Sequence, residues 1–401
     1  MADLLQKLRS LAELARAHDA TSSRPLETVI DAVLSPCEVL IGGRPTLMFG
    51  SNNYFGLTAD PRVVAAARAA LERFGSATTG SRIANGTLAL HRDLERALAQ
   101  AFGKRVAAVF TTGYQGNLAV VGALCGPGDF VVLDADCHAS LYDAARLSGA
   151  TIVGFRHNSV DFLARQLGRL PPGGKNRLVV VEGVYSIYGD VAPLPEIVEV
   201  CRKNDAYLVV DEAHAFGPYG ERGLGCAEAQ GVLGEVDFVV GTFSKTLAGV
   251  GGFVVSDHPE IEALHMLARP YLFTASGSPA NIAGVREALA IATSERGLAE
   301  RLWRAVDRMR AGLLGLGYRI GPVASPIIPV TIGDLRRTRE LWRALLEEGL
   351  YVNLVAPPAC PPDACLLRMS CASPHTDAHV DSALAILGRV GRELGVVPVR
   401  A

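Results

Sequence analysis

Three apolar runs of this sequence stop at side chains able to do chemistry. "LVVVEGVYS" runs into Glu182 and Ser186, "YLVVDEAH" into Asp211 and His214, and "FVVGTFSK" into Thr242, Ser244 and Lys245. Each run reads as a β-strand, and in open parallel sheets ligands bind beyond the carboxyl ends of the strands. A carboxylate, an imidazole and an amine are therefore expected to meet in one crevice. Lys245 stands almost alone there, followed by the small residues of "TLAGVGG". Partial burial lowers the pKa of such an amine, and the neutral amine is a nucleophile that condenses with an aldehyde.

Pyridoxal 5'-phosphate carries that aldehyde, and the other groups match the rest of the molecule. Its ring nitrogen stays protonated beside a carboxylate, a place for Asp211. Its phenolic oxygen takes hydrogen bonds that His214 and Ser186 could give. Its phosphate suits hydroxyls and free amides at a helix start. "TTGYQGNLAV" offers Thr111, Thr112, Gly113 and Tyr114 just before a helical run, and Thr242 and Ser244 add hydroxyls. A flat ring takes a stacking partner, and His138 in "DADCHASLYD" stands at another strand end. Singly, each has a plainer role: Lys245 a solvated loop lysine, Asp211 a helix cap, His138 a satisfied histidine. Their joint occurrence at strand ends favours the cofactor.

The elements that must hold these groups alternate along a chain without internal repeats. From about residue 60, helical stretches such as 61–74 and 88–103 alternate with "RVAAVFTTG", "DFVVLDAD", "TIVGFRH", "RLVVVEGVYS", "AYLVVDEAH", "DFVVGTFSK" and "GGFVVSD". Continuous apolar runs belong to strands buried on both faces. Their alternation with helices predicts an α/β fold with a mostly parallel sheet under helical cover. Upstream, residues 1–20 place Leu4, Leu5, Leu8, Leu11, Ala12 and Ala15 on one helical face, and "EVLIGGRPTLMF" reads as a hairpin turning at Gly42–Gly43. After about residue 285 a charged helical stretch, "RIGPVASPIIPVTIGD", a helix near 336–349, "YVNLVAPPACPPDACLLRMSC" and a helix near 377–394 predict a smaller α+β domain. The expected division is a helix and arm over 1–45, a large domain over 46–285 and a C-terminal domain over 286–401.

The chain of 401 residues is long enough for two or three domains around a large core. A net charge of −2 with 49% hydrophobic residues gives no electrostatic reason to bind nucleic acid or an anionic membrane. No apolar run reaches the roughly 18 residues of a transmembrane span. The start mixes charges through an amphipathic pattern and does not read as a secretory signal. Cys37, Cys125, Cys137, Cys201, Cys226, Cys360, Cys365 and Cys371 form no CxxC, so reduced thiols and a cytoplasmic location are expected. "DEAH" hints at an ATPase, but no GxxxxGK[ST] loop accompanies it, and the GxSxG of a serine hydrolase is also missing. Cys360, Cys365, Cys371, His375 and His379 leave a metal-binding module as a minor alternative, without a CxxC knuckle. The main site is expected to hold no metal.

Longer blocks carry a resemblance. "GSRIANGT", "DADCHASLYD", "EGVYSIYGDVAPL", "DEAHAFGPYGERG", "GTFSKT" and "RPYLFTAS", over about residues 45–380, resemble the α-oxoamine synthase family of fold-type I pyridoxal-phosphate enzymes. Within it, "FRHNS", "GTFSK", "RPYLFTAS" and "YVNL…PPA" look most like the bacterial serine palmitoyltransferase branch. The resemblance implies a large domain on a mostly parallel seven-stranded sheet and a smaller C-terminal α+β domain. It implies decarboxylative condensation of an amino acid, in that branch L-serine, with an acyl thioester. With palmitoyl-CoA the product would be 3-ketodihydrosphingosine, the first step of sphingolipid synthesis; an acyl carrier protein could replace coenzyme A. By motif, Lys245 would link to the cofactor and then act as base. His138 would stack on the ring and touch the substrate carboxylate, Asp211 would pair with the pyridinium and His214 with the phenolate oxygen. Gly113, Tyr114, Thr242 and Ser244 would hold the phosphate region. Thr274 in "RPYLFTAS" resembles a position that reaches the phosphate of the neighbouring subunit's cofactor, which implies a homodimer with shared active sites. Asn53 in "SNNYFGL" and Arg368 in "LLRMS" would face the amino acid, an arginine fork being suited to a carboxylate.

Two positions depart from that branch. Its usual "YNYMG" and "RPPATP" read "NNYFG" and "APPACP" here, so Asn52 replaces a tyrosine and Ala356 an arginine. "SNNYFGL" is more similar to the glycine acetyltransferase and oxononanoate synthase branches. The alternative amino acid is therefore glycine or alanine, as in 2-amino-3-ketobutyrate CoA ligase or 8-amino-7-oxononanoate synthase. The cofactor residues are untouched by these changes.

Overall fold

The computed structural model describes residues 28–171 and 175–398, together with 5, 6, 8, 9 and 12. The helix expected over 1–20 therefore lies for the most part outside the described residues. The first strands are β1 (Ala32–Ser35), β2 (Glu38–Ile41) and β3 (Arg44–Met48). β2 and β3 form the expected antiparallel hairpin. Gly42 and Gly43 at its turn have φ of 58° and 74°, the left-handed pair that a tight hairpin turn requires and glycine supplies without strain.

The central layer is a sheet of seven strands: β4 (Val106–Phe110), β5 (Phe130–Asp134), β6 (Thr151–Phe155), β7 (Arg177–Glu182), β8 (Tyr207–Asp211), β9 (Phe238–Thr242) and β10 (Gly252–Ser256). These are the seven runs picked out by their apolar continuity. Their order across the sheet is β4-β10-β9-β8-β7-β5-β6. Strands β5 to β9 pair in parallel, while β10 runs antiparallel to both β9 and β4. The link over 243–251 contains no helix, and parallel neighbours need a crossover that such a link cannot make. Val179, Val180, Val209, Val210 and Val239 are buried, as a sheet covered on both faces requires. Each contributes on the order of 1.5–3 kcal/mol by leaving water.

Beyond the sheet, helices Pro279–Ser294 and Gly297–Leu316 lead into a smaller antiparallel sheet. Its strands are β11 (Arg319–Ile320) and β12 (Ile327–Gly333), joined later in the chain by two more. Strand β13 (Leu350–Tyr351) instead pairs in parallel with β3, tying the first hairpin to the segment that follows the Leu335–Glu347 helix. Strands β14 (Asn353–Val355) and β15 (Cys365–Ser370) complete the order β11-β12-β15-β14. The register sets Arg368 of β15 opposite Asn353 on one side and Pro329 on the other. Helix Leu335–Glu347 packs on β12 and β15. Among the described residues, no helix is long and apolar enough to cross a membrane.

Candidate active site

A cavity of about 350 Å³ opens at the carboxyl ends of β7, β8 and β9. Asp211, His214, Thr242, Ser244 and Lys245 line it, joined by Ser186 and by His138, which follows β5. Gly113 and Tyr114, which start the Gly113–Leu124 helix, complete the wall. The strand ends thus deliver amine, imidazoles and carboxylates to one space.

Lys245 is half-buried, and burial lowers its pKa from 10.5 to about 8 against the opposing pull of Asp211 and Glu182. Glu182 is buried beside it. Desolvation, and then the charge of Asp211, hold its carboxyl well above the usual range, and it accepts a hydrogen bond from the His138 backbone N–H. Asp211 is fixed by two donors, Asn117 Nδ2 at 3.0 Å and the Ala213 N–H at 2.9 Å. Asn117 Nδ2 also donates to Ser140 Oγ at 2.9 Å, and Ser140 Oγ lies 2.8 Å from His138 Nδ1. Burial lowers the pKa of His138, and its Nδ1 also accepts from the Ser140 N–H at 3.2 Å. That pattern assigns the proton of the neutral ring to Nε2.

His214 is held neutral in the same way. Burial, followed by the charges of Lys245 and Arg368, pushes its pKa well below 6.5. Tyr54 Oη lies 2.7 Å from its Nδ1, and burial pushes the Tyr54 phenol up to about 12, so the phenol keeps its proton and donates it. The His214 Nε2–H is then a donor, as a phenolic oxygen in the cavity would need.

Another part of the wall presents groups suited to an anion. Helix starts leave amides without intrahelical partners. Here Thr112 Oγ1 accepts from the Gln115 N–H at 3.0 Å and Thr112 O from the Gly116 N–H at 3.0 Å, which leaves the amides of Gly113 and Tyr114. A Cβ on Gly113 would sit 2.9 Å from the Cβ and Oγ1 of Thr242. Only glycine lets the helix start press so closely on the end of β9. Thr242 Oγ1 lies 2.9 Å from Ser244 Oγ and donates to Gly251 O. Amides and hydroxyls with no carboxylate among them suit a phosphate.

Arg368 does not line the cavity but lies behind its lining residue Ser186, 7% exposed. Its Nε donates to Ser186 O at 2.5 Å, Nη1 to Ser370 Oγ at 3.2 Å and Nη2 to Asn52 Oδ1 at 3.0 Å. All three acceptors are neutral. Among the described residues no carboxylate pairs with this guanidinium.

Asn53, expected at the substrate, turns elsewhere: its Nδ2 donates to Thr58 Oγ1 at 2.8 Å and it does not line the cavity. The neighbouring Asn52 reaches the arginine instead. Thr274 also lies outside this chain's cavity, where its Oγ1 accepts from Gln115 Nε2 at 3.4 Å beside a hollow lined by Arg82 and Tyr271. The Cys/His cluster near the C-terminus does not assemble. His375 Nε2 donates to Met48 O, its Nδ1 accepts from the Ala372 N–H, and its ring stacks on Phe49 at 4.0 Å. Among the described residues no group of three or more His, Cys, Asp or Glu side chains is placed to hold a metal. Sequence reasoning passed over Tyr54 and Asn117. Asn117 had a signal, a lone amide in the apolar helix "NLAVVGAL"; Tyr54 had none, because its partner is 160 residues away.

The family model for class I and II aminotransferases matches residues 44–387. The chain belongs to that family. Within it the chain falls among the α-oxoamine synthases that its sequence blocks resemble. It is 46% identical over 394 residues to the serine palmitoyltransferase of Caulobacter vibrioides, covering 98% of both proteins. The solved serine palmitoyltransferase of Sphingomonas wittichii superposes with a TM-score of 0.97 at 47% identity, covering 99% of this chain and 100% of that one. A high-resolution structure of SPT with its pyridoxal-phosphate internal aldimine superposes at 0.96 with 44% identity, covering 98% of this chain and all of the other. This member of the aminotransferase family thus has the fold-type I architecture expected of it.

Proposed function

We propose that the chain is a pyridoxal-phosphate-dependent acyltransferase that joins L-serine to palmitoyl-CoA. The products would be 3-ketodihydrosphingosine, free coenzyme A and carbon dioxide, so that atoms balance. The observation that carries this reading is the meeting of Lys245, Asp211 and His214 around one cavity, with a buried arginine bonded to the carbonyl of the lining residue Ser186, in a chain 46% identical to a serine palmitoyltransferase.

The residues fit the cofactor. Asp211, fixed by Asn117, is the partner for a protonated ring nitrogen. The His214 Nε2–H and Ser186 suit the phenolic oxygen. The amides of Gly113 and Tyr114, with Thr242 and Ser244, suit the phosphate. Bound pyridoxal phosphate would supply an aldehyde for the Lys245 amine and a ring that draws electron density from the amino acid. Arg368 holds the substrate carboxylate by a two-pronged, charge-assisted contact. Lys245, its basicity brought down to about 8 by burial, moves a proton at the α-carbon. His138 covers the ring and offers its Nε2–H to the thioester oxygen as charge develops there.

Asn52 supports a second reading. With this amide on Arg368 where the palmitoyltransferase branch has a tyrosine, a related synthase using glycine or alanine is the alternative. The test is thiol release with serine, glycine and alanine against acyl-CoA chains of several lengths and against an acylated carrier protein. Preference for serine with a long chain supports the first reading; glycine with a short acyl group supports the second.

A homodimer with shared sites belongs to the same proposal. Val250, Met266, Leu267 and Phe273 are exposed apolar side chains, and Thr274 lies outside its own cavity, free to serve a neighbour's. Sedimentation of the holoenzyme checks it. All eight cysteines are free and buried, which suits a reducing, cytoplasmic setting.

A further inference from the structure

The "FRHNS" block lies outside the cavity, yet it draws two other blocks together. Its His157 is clamped between two carboxylates. Nδ1 lies 2.8 Å from Asp134 Oδ1 at the end of β5, and Nε2 bonds to Asp190 Oδ2. Asp136 Oδ2 stands 3.8 Å from the same Nδ1, and the Tyr185 ring meets the imidazole edge-on at 4.4 Å. Asn158, at φ 49°, adds its N–H to Asp134 Oδ2 at 2.8 Å and its Nδ2 to Asp190 Oδ2 at 3.1 Å.

Asp190 closes a tight turn. The Tyr185 N–H donates to Asp190 O at 3.0 Å, and the Gly189 N–H to Tyr185 O at 2.9 Å. On its far side the turn is pressed on β12: a Cβ at Gly189 would lie 2.5 Å from Ile327 O. Between these supports sits Ser186, which lines the cavity and whose carbonyl takes the Arg368 Nε at 2.5 Å. The clamp and the arginine are therefore joined by one rigid turn.

We propose that His157 is a positioning residue for amino-acid binding: held by Asp134 and Asp190, it fixes the Tyr185–Asp190 turn and so aims Arg368 through the Ser186 carbonyl. The claim rests on the proposed function, which makes Arg368 the carboxylate receptor. The ring is charged across the working range, since its bonds to Asp134 and Asp190 outweigh burial and raise its pKa to about 10. A cation between two carboxylates holds the turn more firmly than a neutral ring would.

The experiment compares wild-type holoenzyme with His157→Ala, His157→Gln and Asp190→Asn, titrating L-serine and palmitoyl-CoA separately. His157→Ala is expected to raise the KM for serine about ten-fold and leave that for palmitoyl-CoA within about two-fold, with the absorbance of bound cofactor unchanged. His157→Gln, whose amide can reach one carboxylate, recovers part of the loss. A purely structural role would move both KM values together, and either that or an unchanged serine KM overturns the proposal. Should His157→Ala fail to fold, Asp190→Asn carries the same comparison with the shape of the turn preserved. If wild type shows no turnover with serine, the functional reading fails on its own. A crystal structure of His157→Gln or Asp190→Asn then still decides the inference: Arg368 displaced from Ser186 O supports it, and Arg368 unmoved refutes it.

Discussion

Replacing Arg368 by glutamine separates binding from stability. The guanidinium is buried, its three protein acceptors are neutral, and no carboxylate among the described residues offsets its charge. Burial accordingly lowers its pKa, opposed only by Tyr54. A buried ion without a counter-ion costs several kcal/mol of desolvation, which hydrogen bonds repay in part. Glutamine is shorter and neutral but keeps two N–H donors, so the apo protein should melt no lower than wild type. Binding should behave oppositely. Removing one partner of a buried, hydrogen-bonded charge pair costs about 2–5 kcal/mol, or roughly 30- to 5,000-fold in affinity for L-serine. The assay is titration of the holoenzyme with serine, followed by the cofactor's visible spectrum, alongside thermal melts of the apo form. An enclosed pair is weakly screened, so the loss should persist at high salt. A variant that melts far lower and still binds serine normally would refute the reasoning, because Arg368 would then be a structural cation.

Lys245→Ala should abolish the visible absorbance of the linked cofactor and lower kcat by about 10²–10⁴-fold; absorbance and turnover that both survive would count against the assignment. Asp211→Asn should fold and still bind the cofactor but exchange the substrate α-proton far more slowly, which deuterium exchange into serine measures. Tyr54→Phe removes the donor on His214 Nδ1 at 2.7 Å, frees the other tautomer, and should shift the cofactor absorbance without loss of binding. Stability against pH separates two half-buried groups. The folded pKa of His157 is raised from 6.5 to about 10, so its contribution is complete below 6.5 and disappears as pH rises through 10. That of Lys245 is lowered from 10.5 to about 8, so its cost to the apo fold is full below 8 and relieved toward 10.5. Melts should therefore show the deficit of His157→Ala closing toward pH 10, and the advantage of Lys245→Met closing above pH 8.

Local patterns along the chain decide which segments become strands and what stands at their ends. Unbroken valine runs, the Gly42–Gly43 turn and the helix-start glycine at Gly113 are local features, and local backbone preference with hydrophobic continuity suffices to place them. For the same reason Lys245, Asp211, His214 and His138 were legible as one site: parallel pairing carries every strand end to the same edge. Pairing direction at β10 was not legible, because it depends on what its neighbours do. Nor was the choice of Asn52 over Asn53 beside Arg368, which is settled where β15 meets the loop after β3. Tyr54 on His214, Thr274 outside its own cavity and His157 behind the Ser186 turn likewise join residues far apart in the chain. Such contacts come from the packing of loops and helices brought together from distant parts of the chain, and packing depends on shapes that no single stretch of sequence contains.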